Sequence, residues 1–368
     1  LLDKNFKTPP EDEKIWSFWE SEWIPKQVLN NLTEKKWSRL KVNVKGYSAE
    51  KTLQDFSYHS IRCSTYREWM ISQLESSSQV TLLEDTLNDF EHESSGSIRI
   101  DTEAHQIACS WFCNSLPFLK SGMHKKGNLV RGEKSASPDS PQALQQFLGW
   151  EIITKDPEFD PTLFTFMDFQ QSDKFSFPFF YVLPFSEHKA LVEYTIFTEE
   201  PQPNHKLKTD LENYLHQHIK LNPGSYNLER KESGMIPMAA DICHDCTSTL
   251  INIGSAAGCT RASTGYTFAR SWKHAQTVAN RIKGKKNKEN GLLNRRHQFF
   301  DMLFLYQLQQ NPESVKNLIK GLFREPNTDQ IFRFLSGTTH LSDELQMVRR
   351  MPVIPFMKAF LKNCKHLM

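Results

Sequence analysis

Four apolar runs follow one another from about residue 148 onward, and each has the length and composition of a β-strand. They read GWEIITK, TLFTFMDF, FPFFYVLPF and ALVEYTIF, with turn-forming segments between them. Aromatic and β-branched residues favour strands, and strands of this kind must bury at least one face in a sheet. The series therefore predicts a β-rich unit in the middle of the chain.

The rest of the chain mixes helical and strand patterns. A helix is predicted at YREWMISQL, and a second at residues 205–219, where leucines recur at helical spacing. A β-meander is predicted around a Ser-Ser-Gly turn at residues 94–96, and a polar loop at 121–142. The remaining predictions are strands at MIPMAADI and TSTLINI, a helix from Thr264 to Ile282, and apolar helices over 291–368 that are broken at Pro352 and Pro355.

Composition excludes several classes of protein. The net charge is only +2 across 368 residues, which argues against a dedicated nucleic-acid binder. No apolar run reaches the roughly 18–20 residues that span a bilayer, and no secretory signal pattern is present. The seven cysteines are scattered, as in a cytosolic protein with reduced thiols. The lone CHDC at 243–246 lacks a second ligand pair, so no metal site is predicted.

Phenylalanine is abundant, with 26 residues, and it is concentrated between Phe164 and Phe185. This cluster is typical of a sheet core, and it also fits the wall of a long apolar pocket. Within the same region Glu193 interrupts an apolar run, and strand alternation places it on one face with Leu191 and Thr195. It either faces solvent or faces the apolar pocket, where desolvation would raise its pKa and make it a general acid. Asp168 is a second carboxylate in a similar setting.

A glycine-rich segment, IGSAAGCTRASTGYTF, covers residues 253–268 between a predicted strand and a predicted helix. Gly254 and Gly258 permit close backbone approach, and Ser263 or Thr264 can cap the helix. The segment is either an anion-binding loop at a helix N-terminus or a plain β–α turn.

Two further features of the sequence, Asp3 and the basic stretch 281–300, each allow two interpretations. Asp3 ends a short apolar stretch, as the ribose-binding acid of a Rossmann unit does, yet no GxGxxG occurs in the sequence. Asp3 is thus either an ordinary acid or the remaining part of a βαβ unit whose first half lies upstream. The basic stretch 281–300 is either a solvated linker or a surface for anionic lipid head groups.

Taken in order, several segments resemble the flavoprotein lycopene cyclase family in its bacterial branch, from about Leu1 to Phe360. The similar segments are WSFW at 16–19, FLGWEI at 147–152, FDPTLFTFMDF at 159–169, FFYVLPFSEHKALVEYT at 179–195, ESGMIPM at 232–238 and the glycine-rich segment at 253–268.

The resemblance implies an α/β, glutathione-reductase-like FAD/NAD(P)-binding Rossmann domain with a β-rich substrate domain and C-terminal helices. The expected divisions are residues 1–145 and 237–290 for the two parts of the FAD-binding domain, 146–236 for the substrate domain and 291–368 for the helical region.

The resemblance also implies a chemistry. Family members close β- or ε-ionone rings on lycopene by protonation, cation cyclisation and proton loss, using reduced FAD with NAD(P)H as reductant. We expect a lycopene β-cyclase, an isomerase acting at the cytoplasmic membrane as a peripheral protein. The alternatives are a flavin-dependent reductase or monooxygenase of a prenyl lipid and a non-catalytic carotenoid-binding protein. The choice between β and ε rings stays open.

The site residues follow from the matched motifs. Glu193 is expected to be the acid or to stabilise the cation, with Asp168 and Glu232 as further carboxylates. The residues expected to contact the cofactor are Asp3, Gly254, Ser255, Gly258, Thr264, Gly265 and Tyr266. Without a GxGxxG, FAD binding is expected only together with an upstream glycine unit. Tyr194 stands where relatives carry a second acid, which assigns the acid work to Glu193 alone.

Overall fold

The computed structural model describes residues 1–6, 13–94, 96–116, 142–169, 176–239, 249–285, 293–349 and 357–358. The strands are β1 Leu2–Asp3, β2 Ile15–Trp19, β3 Lys35–Trp37, β4 Arg39–Val44, β5 Tyr47–Thr52, β6 Tyr58–Arg62, β7 Leu83–Glu84, β8 Leu87–His92, β9 Ile98–Thr102, β10 Gln106–Cys109, β11 Phe112–Asn114, β12 Gln142–Thr154, β13 Leu163–Asp168, β14 Phe177–Pro184, β15 Lys189–Thr198, β16 Tyr226–Ala239 and β17 Leu250–Asn252. The helices are α1 Lys26–Leu32, α2 Cys63–Glu75, α3 Asn204–Tyr214, α4 Phe268–Ile282, α5 Arg295–Gln310, α6 Pro312–Leu322, α7 Thr328–Ser336 and α8 Leu341–Val348.

A seven-stranded mixed sheet is the largest element, with strand order β16-β12-β15-β14-β13-β4-β5. The four apolar runs of the sequence form its neighbouring central strands β12 to β15, which confirms the predicted β-rich unit. These four strands are joined by antiparallel pairings where they are neighbours, whereas β13 and β4 run parallel. The aromatic density of the runs is explained by burial, because every residue of β14 is buried.

One face of this sheet is covered by α3. The predicted leucine stripe of that helix, Leu207, Leu211 and Leu215, is buried against Val192 and Tyr194 of β15. The helix continues through a π-helical turn at Leu215–Ile219, so helical structure extends over the predicted range. This face is a closed apolar core.

The opposite face of the sheet is covered by the C-terminal helices α5, α6 and α7. Phe177 and Phe197 on this face pack with Phe304 of α5 in one large apolar cluster. Arg261, in the loop before α4, forms a buried ion pair with Asp301 of α5 at 3.0 Å, which ties that loop to the helices. The part of this face that the helices leave uncovered forms the floor of a cavity, described below.

Smaller sheets make up the rest of the described fold. Strands β8, β9 and β10 form the predicted antiparallel meander, with Gly96 in the first turn. Parallel pairs join β1 to β7 and β11 to β17. Within the described residues, no helix combines the length and hydropathy that a bilayer crossing requires.

The predicted start of helix α4 is wrong. Gly254–Ala257 form a 3₁₀ turn, and the chain remains non-helical until α4 begins at Phe268. Gly265 has a φ of 73°, which interrupts any helix through this segment. Ser263 does not cap the helix, because its hydroxyl donates to Asp301. The CHDC segment, Pro352, Pro355 and most of the predicted 121–142 loop lie outside the described residues.

The packing of α3 predicts a large effect from truncating its central leucine. Leu211 is fully buried, so Leu211→Ala should lower the free energy of unfolding by about 2–5 kcal/mol in urea denaturation. Lys208→Ala, on the exposed side of the same helix, should change it by less than about 0.5 kcal/mol. Equal unfolding midpoints for the two variants would contradict the assigned packing of α3.

Candidate functional site

Two glutamates meet across a glycine in the centre of the large sheet. Gly149 on β12 is directly opposite Glu193 on β15 and directly opposite Glu232 on β16. Residues paired in this way share a face of the sheet, and two strand spacings separate the glutamate backbones by about 10 Å. Because Gly149 has no side chain, the two carboxyl groups can extend towards each other above it.

The fit around Gly149 is close. A Cβ atom at this position would lie 2.9 Å from Cγ of Glu232 and 3.0 Å from Cδ1 of Leu191. Cβ atoms essentially never approach other heavy atoms more closely than about 3 Å in real proteins. A side chain at position 149 would therefore force Glu232 or Leu191 to shift, although the backbone there is that of an ordinary strand.

The two glutamates have different partners. Burial raises the pKa of Glu193 to about 8, and the neighbouring charge of Glu232 acts in the same direction. The Thr195 hydroxyl donates to Oε1 of Glu193 at 2.7 Å. Burial also raises the pKa of Glu232, but Arg230 and the backbone N–H of Ile15 oppose this by donating to Oε2 at 2.9 and 3.0 Å. The pKa of both groups is raised, but because Glu232 accepts from Arg230 and from the Ile15 N–H, it is the member better placed to carry negative charge, and Glu193 is better placed to hold a proton.

A second buried carboxylate fixes Arg230. Glu151 accepts hydrogen bonds from Nε of Arg230 at 2.8 Å and from Arg62, and Lys189 lies 2.9 Å from it. Burial would raise the pKa of Glu151, but these three cations lower it to about 2. Ionised Glu151 holds Nε of Arg230 in place, while Nη1 of the same side chain points to Glu232.

The carboxyl pair lies in the wall of a cavity of about 950 Å³, which we call the acid cavity. Its lining is contributed by the uncovered sheet face, by α2 and α4 and by the segment after β17. Three phenols form a hydrogen-bonded group in it, with Tyr58 and Tyr266 hydroxyls 2.7 Å apart and Tyr181 bonded to Tyr266. Burial raises the pKa of each phenol, so all three are neutral near Glu193.

Most of the predicted cofactor residues line the acid cavity. These are Gly254, Ser255, Thr264, Gly265 and Tyr266. A Cβ on Gly254 would meet nothing within 4 Å, and one on Gly265 would lie 1.9 Å from Oε1 of Gln145. The same Oε1 of Gln145 is buried without a hydrogen-bond partner, which leaves an acceptor free for a ligand. The glycine-rich segment and Gln145 therefore fit a planar, hydrogen-bonding cofactor ring such as flavin.

Two predicted cofactor residues do not line the acid cavity. Gly258 ends the 3₁₀ turn with a φ of 72°, and its carbonyl accepts a hydrogen bond from Arg270. Asp3 is exposed at the end of β1, where it caps the local turn by accepting from the backbone N–H of Asn5. The structure gives Gly258 a backbone role and leaves Asp3 apart from the carboxyl pair.

Asp168 is on the opposite side of the sheet from the carboxyl pair. Simple alternation places it on the same face as Phe164 and Phe166, but the register of β13 shifts between Thr165 and Asp168. This β-bulge turns Asp168 towards α3, where it accepts hydrogen bonds from Tyr214 at 2.9 Å and Asn43 at 3.1 Å. Its setting thus differs from that of Glu193, contrary to the sequence reading.

Tyr194 also faces the α3 side, and its ring centroid lies 5.0 Å from that of Phe180 in a tilted arrangement. The second carboxyl group beside Glu193 comes from β16 as Glu232 and not from position 194. Sequence reasoning missed Gly149 and Arg230 as parts of the site. The signal for Arg230 was present as alternation, since Arg230 and Glu232 lie two residues apart along one strand and therefore share a face. Among the described residues, no group of His, Cys, Asp and Glu side chains is arranged to hold a metal ion.

Comparison with known proteins places this geometry in context. A family model described as "Lycopene cyclase protein" matches residues 2–361. No curated protein sequence matches the chain significantly.

Solved structures share the fold at low sequence identity. A geranylgeranyl bacteriochlorophyll reductase-like protein from Thermoplasma acidophilum aligns with a TM-score of 0.57 at 12% identity, covering 97% of this chain and 91% of that one. The p-nitrophenol 4-monooxygenase PnpA from Pseudomonas putida DLL-E4 aligns with a TM-score of 0.54 at 11% identity, with the same coverage of 97% and 91%. The fold, a large mixed sheet with C-terminal helices, is therefore that of flavin-dependent monooxygenases and reductases, as predicted.

The contact between Gly149 and Glu232 predicts a coupled effect on stability. Gly149→Ala should lower the free energy of unfolding by about 1–3 kcal/mol, because the added methyl group overpacks the site. In a Glu232→Ala background, where Cγ of residue 232 is absent, the loss of unfolding free energy caused by Gly149→Ala should be smaller by at least about 0.5 kcal/mol. Urea denaturation of the four proteins measures this coupling. Additive effects of the two substitutions would show that Glu232 does not lie over Gly149.

Proposed function

The chain belongs to the lycopene cyclase family, and on that premise we propose that it closes β-ionone rings on lycopene or a related linear carotenoid. The reaction is an isomerisation, because one proton enters at a terminal double bond and one proton leaves the ring. The observation that carries the proposal is the carboxyl pair Glu193 and Glu232, held across Gly149 in a largely apolar cavity. Family and fold both support a flavin-dependent enzyme.

Glu193 is the proton donor in this proposal. A carboxyl group with a pKa raised to about 8 is protonated at neutral pH, and its proton is available to an alkene bound in the largely apolar cavity. Transfer of that proton to the terminal double bond of the substrate leaves a tertiary carbocation. Attack by the next double bond closes the six-membered ring and moves the positive charge onto it.

The carboxylate pair and the phenols stabilise the cation. Glu232 retains negative charge through Arg230 and Ile15, and ionised Glu193 adds to it after proton transfer. The π faces of Tyr58, Tyr181 and other aromatic side chains of the cavity attract a cation as well. Loss of a ring proton to the carboxyl pair then forms the ring double bond and restores protonated Glu193.

FAD is the proposed cofactor, with NAD(P)H as its reductant. Gly254, Ser255, Thr264, Gly265 and Tyr266 would hold it, with Gln145 as a hydrogen-bond acceptor. When bound, reduced FAD would supply electron density beside the cation. Asp3 remains a proposed contact to the ribose of the cofactor, although it does not line the acid cavity. Asp168 is a carboxylate that connects the sheet to α3.

Access to a membrane-dissolved substrate requires contact with a lipid surface. We propose peripheral attachment at the cytoplasmic face through residues 281–306 and the C-terminal segment. Ile282 is an exposed apolar side chain there, next to the basic Lys283 and Lys285. Such a combination is typical of interfacial binding.

A second candidate function is a flavin-dependent reductase or monooxygenase of a prenyl lipid. It is favoured by the shared fold with a protein described as geranylgeranyl bacteriochlorophyll reductase-like. A third is a non-catalytic carotenoid-binding protein. The product distinguishes them, because cyclisation leaves the substrate mass unchanged, reduction adds hydrogen, oxygenation adds oxygen, and binding alone changes nothing.

The test is expression in lycopene-accumulating cells with analysis of the pigments and their masses. Glu193→Gln should lower ring formation at least about a hundredfold, the size of a lost general acid, while flavin absorbance is kept. Glu199→Gln, at an exposed position just beyond the same strand, should leave activity unchanged.

The pH dependence follows from the same group. Because Glu193 must be protonated, kcat/KM should be constant at neutral pH and fall about tenfold per pH unit above about 8.

Full ring formation by the Glu193→Gln variant would show that Glu193 is not the acid. Unchanged lycopene mass and structure with flavin-loaded wild-type protein would contradict the cyclase proposal.

A further inference from the structure

A second cavity lies on the same sheet face as the acid cavity, beneath the C-terminal helices. It has a volume of about 280 Å³, and we call it the helix cavity. Its walls include Phe177 and Phe197 from the sheet, Phe304 from α5 and Leu318 and Leu322 from α6. Apolar cavities of about 150 Å³ stay dry and bind benzene or xenon, so a cavity of this size is suited to a hydrocarbon.

The polar groups at the edge of the helix cavity are already satisfied. Arg261 donates to Asp301 at 3.0 and 3.1 Å and also to the carbonyl oxygens of Phe334 and Leu335. Ser263 donates to the same carboxylate at 2.6 Å. These groups neutralise one another and offer little to a polar ligand, since satisfied buried groups gain nothing from a further partner. The chemistry of the cavity selects an apolar occupant.

The helix cavity is adjacent to the acid cavity. Tyr266 and Thr264 line both of them, so the two spaces share a wall. Along β15, Phe197 is four residues beyond Glu193 on the same face, which at about 3.3 Å per residue is about 13 Å. A linear molecule with one end at Glu193 would therefore reach the helix cavity with its middle part.

We propose that the helix cavity binds the middle hydrocarbon segment of a long linear polyene whose reacting end lies at Glu193. The inference rests on the proposed function of the acid cavity and adds a length requirement to it. Short molecules with the same end group gain nothing from the helix cavity, whereas long linear chains gain apolar burial. Tyr266, in the shared wall, is the side chain past which the polyene extends.

The test fills the helix cavity and compares two ligands. Leu318→Phe/Leu322→Phe adds bulk inside it, and the matched control Leu341→Phe/Leu345→Phe adds the same bulk on the exposed side of α8. Both pairs are made in a Glu193→Gln background so that no turnover occurs. Binding of lycopene and of a short acyclic monoterpene is measured by partition from detergent micelles.

The filled variant should bind lycopene at least tenfold more weakly and bind the monoterpene within twofold of its parent, while the control changes neither. Equal lycopene affinity in filled and parent proteins would overturn the length-selecting site while leaving the cyclase proposal intact. A parent protein that binds no lycopene would contradict both.

A second measurement needs no variant in the helix cavity. Xenon NMR of the otherwise unmodified Glu193→Gln protein should show a bound xenon that lycopene displaces and the monoterpene does not. Retention of the xenon signal with lycopene bound would also overturn the proposal.

Discussion

Two carboxyl groups that lie close together in a largely apolar cavity resist being ionised together unless a cation lies beside them, and the site of this protein is built on that constraint. Gly149 leaves room for Glu193 and Glu232 to approach each other on one sheet face. Arg230 and the Ile15 N–H then favour the charged form of Glu232. The proton consequently remains on Glu193, where desolvation and the adjacent charge make it costly to remove.

The sheet separates structural from chemical tasks by face. The α3 side is a closed apolar core in which Asp168 serves as an acceptor for Tyr214. The C-terminal helices leave part of the other side uncovered, where the acid cavity lies, and the helix cavity lies beneath those helices. A largely apolar space beside a proton donor suits the proposed carbocation chemistry, because water would capture the cation.

The large sheet and the position of Glu193 on it could be predicted from the sequence. Alternation and aromatic density dictate a buried sheet, and alternation places Glu193 with Thr195 on one face. Asp168 was misplaced because a β-bulge adds one residue to β13, and a bulge has no reliable signal in residue type. The start of α4 was misplaced because Gly265 adopts a positive φ that only the tertiary structure reveals. The pairing of Glu193 with Glu232 depends on a register between strands far apart in sequence, which no local pattern encodes.

The protonation of Glu193 is the central claim, and infrared difference spectroscopy tests it directly. The spectrum of the wild-type protein minus that of Glu193→Gln isolates the carboxyl group of this residue. The account predicts the carbonyl stretch of a protonated carboxylic acid at neutral pH, which disappears as the pH rises through about 8. A difference spectrum at neutral pH that shows only an ionised carboxylate would contradict the account.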